Sequence, residues 1–178
     1  MIETERLRLR AWRESDREPF FRMNSDPAVM RHFPATLTRE ESDALVDRIE
    51  AQWAARGFTP YAAELRESGG FIGFIGLSVP LFEAHFTPCV EIGWRLAAAY
   101  WNRGLATEGA RAALRHGFEA MGLAEVVAFT VPANLASRRV MEKIGMTRDP
   151  ADDFEHPQMP EGHALRRHVL YRIRRTGG

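Results

Sequence analysis

The spacing of hydrophobic residues changes along this chain, and that change limits the folds it can adopt. Leu45, Ile49 and Trp53 recur at intervals of four residues, which predicts a helix that Gly57 ends. The elements predicted after Gly57 are strands at 58–66, 71–79 and 89–96, a helix at 104–121, a strand at 124–131, a helix at 136–144 and a strand at 167–174. Helices, then strands, then an alternation of the two predict a single α/β layer structure of the α+β kind.

Short motifs predict where the first helices begin. Ser15 and Glu18 have the spacing of a capping box, and so do Thr38 and Glu41. Between them, Asp26-Pro27 places a capping carboxylate before a proline at the first helical position. The first helix is expected to turn a group of apolar side chains inward, namely Phe20, Phe21 and Met23.

Arginines are concentrated near the start of the chain, where they resemble a basic patch. They are Arg6, Arg8, Arg10 and Arg13, and they are interleaved with Leu7, Leu9 and Ala11. A half-buried strand requires that alternation, so we interpret these arginines as the solvent face of a strand.

Over the whole chain, 24 Lys and Arg residues balance 24 Asp and Glu residues. We therefore expect neither a nucleic-acid partner nor a membrane partner.

Cys89 is the only cysteine in the sequence. A lone cysteine excludes an internal disulfide, and we expect a small buried side chain rather than a nucleophile. The sequence has no apolar run of 18 or more residues and no signal-peptide pattern, so we expect a cytoplasmic protein. The 6 histidines show no metal-ligand spacing, and we predict no metal.

The segment Trp101–Glu108 lies between a predicted strand and a predicted helix. The free N–H groups at a helix start, together with the positive end of the helix dipole, suit a diphosphate. Gly104 would let the backbone approach a ligand closely, and Ala106 keeps the first helical turn small. Small residues are also common at helix starts for structural reasons, so this segment alone leaves both interpretations open.

A second motif lies at the next junction between a predicted strand and a predicted helix. Asn134 and Ser137 are three residues apart there, so both side chains can face one cleft. Asn134 also has the side chain of a helix cap, and Gly145 that of a C-terminal stop. These structural roles are compatible with ligand contacts from Asn134 and Ser137.

Together the two motifs resemble those of the GNAT superfamily of N-acetyltransferases. The second, which resembles its second CoA-contacting motif and starts 30 residues after Gly104, is Asn134-x-x-Ser137-x-x-Val140-x-Glu142-Lys143-x-Gly145-Met146. With Arg103-Gly104-x-Ala106 before it, the chain is most similar to the branch containing the ribosomal-protein (Rim-type) N-terminal acetyltransferases. Two further runs resemble that branch, Thr4-Glu5-Arg6-Leu7-x-Leu9-Arg10 and Ser25-Asp26-Pro27-x-Val29-Met30. The resemblance thus covers nearly the whole chain.

The resemblance implies a single GNAT domain over residues 1–178. Its central sheet would be mixed and mostly antiparallel, flanked by helices, with central strands that splay apart to form a CoA cleft. The implied activity is direct transfer of an acetyl group from acetyl-CoA to a primary amine, on a small molecule or a protein N-terminus, in a ternary complex. The alternative is a CoA-binding protein of this fold that lacks catalysis and acts as a sensor or interaction module. We also consider a homodimer, although no sequence pattern supports one.

The resemblance further implies which residues contact acetyl-CoA. Those at the pyrophosphate are Trp101, Asn102, Arg103, Gly104, Ala106 and Thr107. Those along the pantetheine arm are Trp94, Arg95 and Leu96 on one side and Asn134 on the other. A backbone N–H near Trp94 or Arg95 would polarise the carbonyl oxygen. Ser137 would lie near the sulfur and assist the leaving thiolate, because Met141 stands where many members have a tyrosine general acid.

Glu91 is the predicted general base. The strand alternation sets Glu91, Gly93 and Arg95 on one face. An ordinary ion pair with an arginine is the alternative interpretation of Glu91, and the alternative bases by intrinsic pKa are His156 and His168. The residues predicted to contact the acceptor are Met30, Phe33, Glu91 and His156.

Two further segments have compositions that predict their structure. The segment 147–165 is rich in Pro, Asp, His and Gly and predicts a long loop, either functional or a plain surface insertion. The glycine run from 69 to 76 lacks the pattern of a nucleotide-binding loop. We instead expect its glycines to let a neighbouring strand approach closely.

Overall fold

The chain forms a nine-stranded sheet with helices on both faces, in a computed structural model that describes residues 1–175. The helices are α1 (Arg17–Asn24), α2 (Pro27–Met30), α3 (Arg39–Arg56), α4 (Leu105–Glu119) and α5 (Leu135–Lys143). The strands are β1 (Ile2–Glu3), β2 (Leu7–Arg10), β3 (Pro60–Leu65), β4 (Phe71–Ser78), β5 (Glu91–Leu96), β6 (Glu125–Thr130), β7 (Thr147–Arg148), β8 (Phe154–Glu155) and β9 (Arg167–Arg174). Residues 176–178, the end of the predicted domain, lie outside the described residues.

The sheet is mixed and mostly antiparallel, as predicted. Neighbouring strands follow the order β1-β2-β3-β4-β5-β6-β9-β7, and β8 pairs with β9. All of these pairs are antiparallel except β5 with β6, which run parallel. The parallel pair is connected through α4, so the start of α4 lies at the carboxyl end of β5, where ligands bind in many sheets of this kind.

Two hydrophobic cores lie on the two faces of the sheet. On one face, Leu7 and Leu9 of β2 are fully buried in a core that includes Ala110 and Ala113 of α4. On the other face, Phe20 of α1 and Val46 of α3 belong to a second core. A small third core, which extends over the far half of that second face, consists of Phe86, Val127, Phe154 and Leu170. The alternation of side chains along each strand supplies both faces at once.

Strands β5 and β6 separate soon after they begin. Their registered pair within residues 1–175 joins Glu91 to Val127, and the N–H of Val127 donates to the carbonyl oxygen of Val90 at 2.9 Å. No further pair between the two strands is registered in the described chain, although β5 continues to Leu96 and β6 to Thr130. The edge of β5 that faces β6 is therefore open, which confirms the predicted splay of the central strands.

Two of the three predicted helix starts are correct. The Asp26 carboxylate accepts from the N–H of Ala28 and caps α2, and Thr38 forms the predicted capping box of α3 with Glu41. The capping box predicted at Ser15 and Glu18 is wrong. Here the Asp16 carboxylate accepts from the N–H of Arg13 at 2.8 Å, so a short 3₁₀ turn precedes α1. Of the three side chains expected to face inward, Phe20 and Met23 are buried, whereas Phe21 is half-buried.

The interpretation of the N-terminal arginines as a solvent face is wrong for Arg10. Its side chain is 6% exposed and donates to Asp16 at 2.7 Å and to Glu64 at 2.6 Å. Two buried carboxylates thus stabilise one buried guanidinium, which the alternation of β2 does not predict. Arg8, half-buried, pairs with Glu3 and Glu64 from the same side of the sheet.

The glycines of β4 allow the close strand approach that was predicted. A Cβ atom at Gly73 would lie 2.1 Å from the carbonyl oxygen of Arg95, and one at Gly76 would lie 2.9 Å from the Cα atom of Pro60.

The segment 147–165 contains more regular secondary structure than the loop predicted for it. It contains β7, β8 and the 3₁₀ turn Pro150–Asp152, and both strands pair with β9.

Candidate active site

The open edge of β5 forms one side of a cleft at the centre of the sheet. Trp94, Arg95 and Leu96, the predicted pantetheine contacts, occupy this edge beyond the last pair with β6. The indole Nε1 of Trp101 donates to the carbonyl oxygen of Leu96 at 2.7 Å. This bond fixes the chain that leaves β5 and directs it toward α4. The remaining polar backbone groups of the open edge can bind an extended ligand as an added strand would.

The start of α4 has the geometry of an anion site. Asn102 and Gly104 both have positive φ, 58° and 77°, a conformation that turns successive backbone N–H groups toward one point. Within residues 1–175, the N–H groups of Leu105, Ala106 and Thr107 form no hydrogen bond. These are the free donors that a helix start presents to a phosphate.

An ion pair that the sequence analysis missed holds this helix start against the beginning of the chain. Arg6 donates to the carbonyl oxygen of Arg103 at 2.9 Å and to Glu108 at 2.7 Å. The hydroxyl of Thr4 also donates to Glu108, at 2.6 Å. Thr4 and Arg6 had been noted only as part of the N-terminal resemblance, because nothing in the sequence relates them to a residue about a hundred positions away.

Asn134 and Ser137 lie together at the start of α5, opposite the open edge of β5. The Oδ1 atom of Asn134 accepts from the N–H of Ser137 at 3.2 Å, and its Nδ2 atom donates to the hydroxyl of Thr130 at 3.1 Å. Asn134 is therefore a helix cap, as predicted, with one amide hydrogen left for a ligand. The Ser137 hydroxyl is half-buried and has no hydrogen-bond partner among the described residues. Met141, by contrast, is 2% exposed and packs in the first core.

Glu91 lies at the point where β5 and β6 separate. Its carboxylate forms no ion pair within residues 1–175, so the structure does not support the alternative interpretation of Glu91 as an arginine partner. Burial raises the pKa of Glu91 to about 8. A carboxyl group with that pKa exchanges protons near neutral pH, which is the requirement for a general base.

Arg95 follows Glu91 on the same face of β5, with Gly93 between them. Its Nη1 atom donates to the Oδ1 atom of Asn24 at 2.7 Å, and its guanidinium lies 4.1 Å from the ring centroid of Phe33. The Nε atom is buried and has no hydrogen-bond partner among residues 1–175. Burial lowers the pKa of Arg95 to about 10, so the side chain stays charged at neutral pH. The sequence analysis assigned this residue only a backbone role.

The predicted acceptor contacts fall in different surroundings. Phe33 is 39% exposed and stacks on Arg95, whereas Met30 is 4% exposed and packs in the second core. The structure brings the two alternative bases together, with 5.0 Å between the ring centroids of His156 and His168. Burial lowers the pKa of both imidazoles, which favours their neutral forms. They adjoin the third core, which contains Val127, the strand partner of Glu91.

Residues 1–175 contain neither a cluster of metal ligands nor a membrane-spanning helix. No group of three or more His, Cys, Asp or Glu side chains is placed to hold a metal ion in this part of the chain. None of the helices described is both long and apolar enough to cross a membrane. Cys89 is half-buried, and burial raises the pKa of its thiol to about 11.

The sequence and the fold match known acetyltransferases. Residues 6–147 match a family model described as an acetyltransferase (GNAT) domain. The chain is 34% identical over 149 residues, 83% of either protein, to the uncharacterized N-acetyltransferase YnaD of Bacillus subtilis (strain 168). A GNAT-family acetyltransferase from Bacillus anthracis has the same fold, with a TM-score of 0.79, 30% identity and 97% of both chains covered. The fold also matches RimJ of Mycobacterium smegmatis in complex with CoA-disulfide, with a TM-score of 0.73, 24% identity, and 95% of this chain and 82% of that one covered.

Proposed function

This chain belongs to the GNAT family of acetyltransferases, and on that premise we propose that it transfers an acetyl group from acetyl-CoA to a primary amine. The observation that carries the proposal is the position of Glu91. Its carboxyl group, with a pKa of about 8, lies where the two central strands separate. The open edge of β5 begins at this point, and we expect the acceptor to approach from the face of the sheet that carries Glu91.

The residues around the cleft suit acetyl-CoA as donor. The free N–H groups at the start of α4 would bind its pyrophosphate, and the open edge of β5 would bind the amides of its pantetheine arm. The remaining amide hydrogen of Asn134 would bind the arm from the opposite side. Together these groups supply donors and acceptors along the length of the cleft, without requiring any further cofactor.

In the proposed reaction, Glu91 takes a proton from the acceptor ammonium, directly or through water, and leaves a neutral amine. The amine attacks the thioester carbonyl carbon, so a C–N bond forms while a backbone N–H near Trp94 or Arg95 stabilises the carbonyl oxygen. The C–S bond then breaks, and CoA leaves as a thiolate. The Ser137 hydroxyl donates a hydrogen bond to the thiolate and relays a proton to it from solvent, and the amide nitrogen loses its second proton to solvent.

The alternative is a protein of this family that binds CoA without catalysis. Met141 favours this alternative, because a buried thioether at that position cannot protonate a leaving thiolate. The half-buried hydroxyl of Ser137, which has no partner in the described chain, favours the enzyme. A thiolate is in any case a fair leaving group, so the loss of a tyrosine need not abolish turnover.

Release of free CoA thiol from acetyl-CoA tests the proposal. The acceptors would be small primary amines, amino acids and short peptides with free N-termini. We expect amine-dependent thiol release with at least one class, and loss of that release in Glu91→Gln. Binding of acetyl-CoA with no amine-dependent release from any class would instead support the non-catalytic alternative.

Location and assembly belong to the same proposal. We place the reaction in the cytoplasm, where a lone cysteine stays reduced. The assembly that we propose is a homodimer. Light scattering at micromolar concentration would distinguish it from a monomer of 20.2 kDa.

A further inference from the structure

Arg95 is a half-buried cation without a carboxylate partner in the described chain, and its Nε atom is fully buried. The buried Arg10, by contrast, binds Asp16 and Glu64. Arg95 donates only to the neutral amide oxygen of Asn24, and its Nε atom has no partner. A buried charge is costly unless it is paired and fully hydrogen-bonded. The contrast between the two arginines therefore indicates that no residue of the described part of the chain neutralises Arg95, which leaves its free N–H groups for a ligand.

The bonds already made by Arg95 leave one edge of its guanidinium for a ligand. The Nη1 atom of Arg95 donates to Asn24. The Asn24 side chain is itself held in place, because its Nδ2 atom donates to the hydroxyl of Ser42 at 3.0 Å. The ring of Phe33 stacks over the guanidinium plane. The Nε and Nη2 atoms, which form no hydrogen bond with residues 1–175, make up the edge that binds a carboxylate through two parallel bonds. Phe33 is 39% exposed, so rotation of its side chain can uncover this edge.

No side chain fills the position between Arg95 and Glu91 on this face of β5. Gly93, which lies between them on the same face, has no side chain. A Cβ atom added at Gly93 would lie 3.9 Å from the Oε1 atom of Glu91 and would meet no other heavy atom within 4 Å. The Glu91 carboxylate therefore leans over Gly93, toward Arg95. A molecule in this space would meet a proton acceptor at one end and a cation at the other.

We propose that Arg95 binds the carboxylate of the acceptor, and that the acceptor is a small amino acid or a related amino-carboxylic acid. This inference rests on the proposed transfer to an amine and specifies its substrate. The carboxylate binds at Nε and Nη2 of Arg95 under the ring of Phe33, and this contact holds the amino group over Gly93 within reach of Glu91. Enclosure of the guanidinium by Phe33 and Asn24 favours a small molecule over an extended peptide.

The test compares each acceptor with a version that lacks the negative charge. Alanine, leucine, phenylalanine and aspartate are each paired with the corresponding amide, and tripeptide amides that begin with aspartate form a separate arm. Two readouts are taken, the thermal shift in the presence of CoA and thiol release from acetyl-CoA. The thermal shift requires no turnover, so binding of amino acids without their acetylation would refute the proposed function but would still support a carboxylate site at Arg95.

The parent protein should bind at least one amino acid roughly tenfold more tightly than its amide, the strength expected of a hydrogen-bonded charge pair. Arg95→Gln should lose that preference while it still binds acetyl-CoA. If that variant fails to fold, Phe33→Ala, which changes an exposed residue, should reduce the preference by raising KM for the amino acid and not for its amide. Arg22→Gln, the same change of charge on an exposed arginine of α1, is the matched control and should keep the preference.

Two results with the parent protein would overturn the inference. One is equal binding of every amino acid and its amide by the parent protein. The other is binding of the aspartate-initiated tripeptide amides without binding of any free amino acid. Retention of the full preference in folded Arg95→Gln would likewise show that another group binds the carboxylate.

Discussion

Glu91 carries most of the proposed chemistry on a single side chain. A carboxyl group of ordinary pKa is almost fully ionised at pH 7 and too weak a base to deprotonate an ammonium efficiently. Burial raises the pKa of Glu91 to about 8, which makes its carboxylate a stronger base. The same shift means that part of the protein carries a protonated Glu91 at pH 7. An acceptor ammonium nearby would favour the ionised form and lower that pKa again.

The pH dependence of turnover follows from this pKa. Activity should rise with pH as Glu91 ionises and should level off above about pH 8 in kcat/KM, which reports the free enzyme. Glu91→Gln should lower kcat by about 10²–10⁴-fold, the usual contribution of a general base. Initial rates of thiol release between pH 5.5 and 9.5 measure both effects.

The control for Glu91→Gln is Glu67→Gln, which makes the same change at an exposed residue in the turn after β3. It should leave the pH profile unchanged. If Glu91→Gln keeps full turnover with the parent's profile, Glu91 is not the base, and the pair His156 and His168 becomes the next candidate.

Ser137→Ala tests the proposed proton donor to the thiolate. The substitution leaves the N–H of residue 137 in its bond to Asn134, so the start of α5 should stay intact. We expect kcat to fall by about tenfold or less, below the usual contribution of a general acid, because a thiolate leaves readily. Single-turnover rates with saturating acetyl-CoA measure the chemical step. An unchanged rate would make Ser137 a packing residue only.

The position of a single side chain can be predicted from the sequence where it depends only on the local geometry of its own strand or helix. The alternation along one strand suffices to place Glu91, Gly93 and Arg95 on a shared face. It does not suffice for the guanidinium of Arg95, because its partner Asn24 lies 71 positions earlier. The burial of Arg10 escaped prediction for the same reason, since Glu64 reaches it from a neighbouring strand.

Among the elements, α5 has a start that serves two purposes. Asn134 caps the helix and also faces the cleft, so its loss should affect both stability and ligand binding. Asn134→Ala should cost about 1 kcal/mol of unfolding free energy, the usual value of a cap. It should also weaken acetyl-CoA binding, by about tenfold if one hydrogen bond to the ligand is lost. Calorimetry with acetyl-CoA and thermal unfolding without it measure the two effects separately.

Thr38→Ala provides the matched control. Thr38 caps α3 through a complete capping box on the outside of the molecule, so its loss should cost a similar amount of stability. It should leave acetyl-CoA affinity as in the parent. Equal affinities in Asn134→Ala and Thr38→Ala would mean that Asn134 acts only as a cap.

Helix ends could be predicted wherever the signal is local. Thr38 with Glu41, Asp26 before Pro27, and Gly57 in its left-handed conformation all occur where expected. The start of α1 was misplaced because Asp16 bonds back to Arg13 and also binds Arg10. A side chain held by a distant cation does not follow a local capping rule.

In the molecule as a whole, the splay between β5 and β6 gives the sheet its cleft. Hydrophobic spacing predicts both strands but contains no information on where their pairing stops, since an unpaired edge and a paired one have the same alternation. The resemblance to a known family implied the splay, and the structure confirms it with one registered pair at Glu91 and Val127. The start of α4 follows directly from this arrangement, because the chain must cross over between two parallel strands.

The central claim is that this cleft binds acetyl-CoA, and thermal unfolding with added ligands tests it most directly. A ligand that binds only the folded protein raises its apparent stability, by about 2.7 kcal/mol at a hundred times its Kd. Acetyl-CoA, CoA, ATP and NAD would each be added separately at the same concentration. We predict that acetyl-CoA and CoA raise the Tm while ATP and NAD leave it near the value of the free protein. No shift with acetyl-CoA or CoA at millimolar concentration would contradict the account.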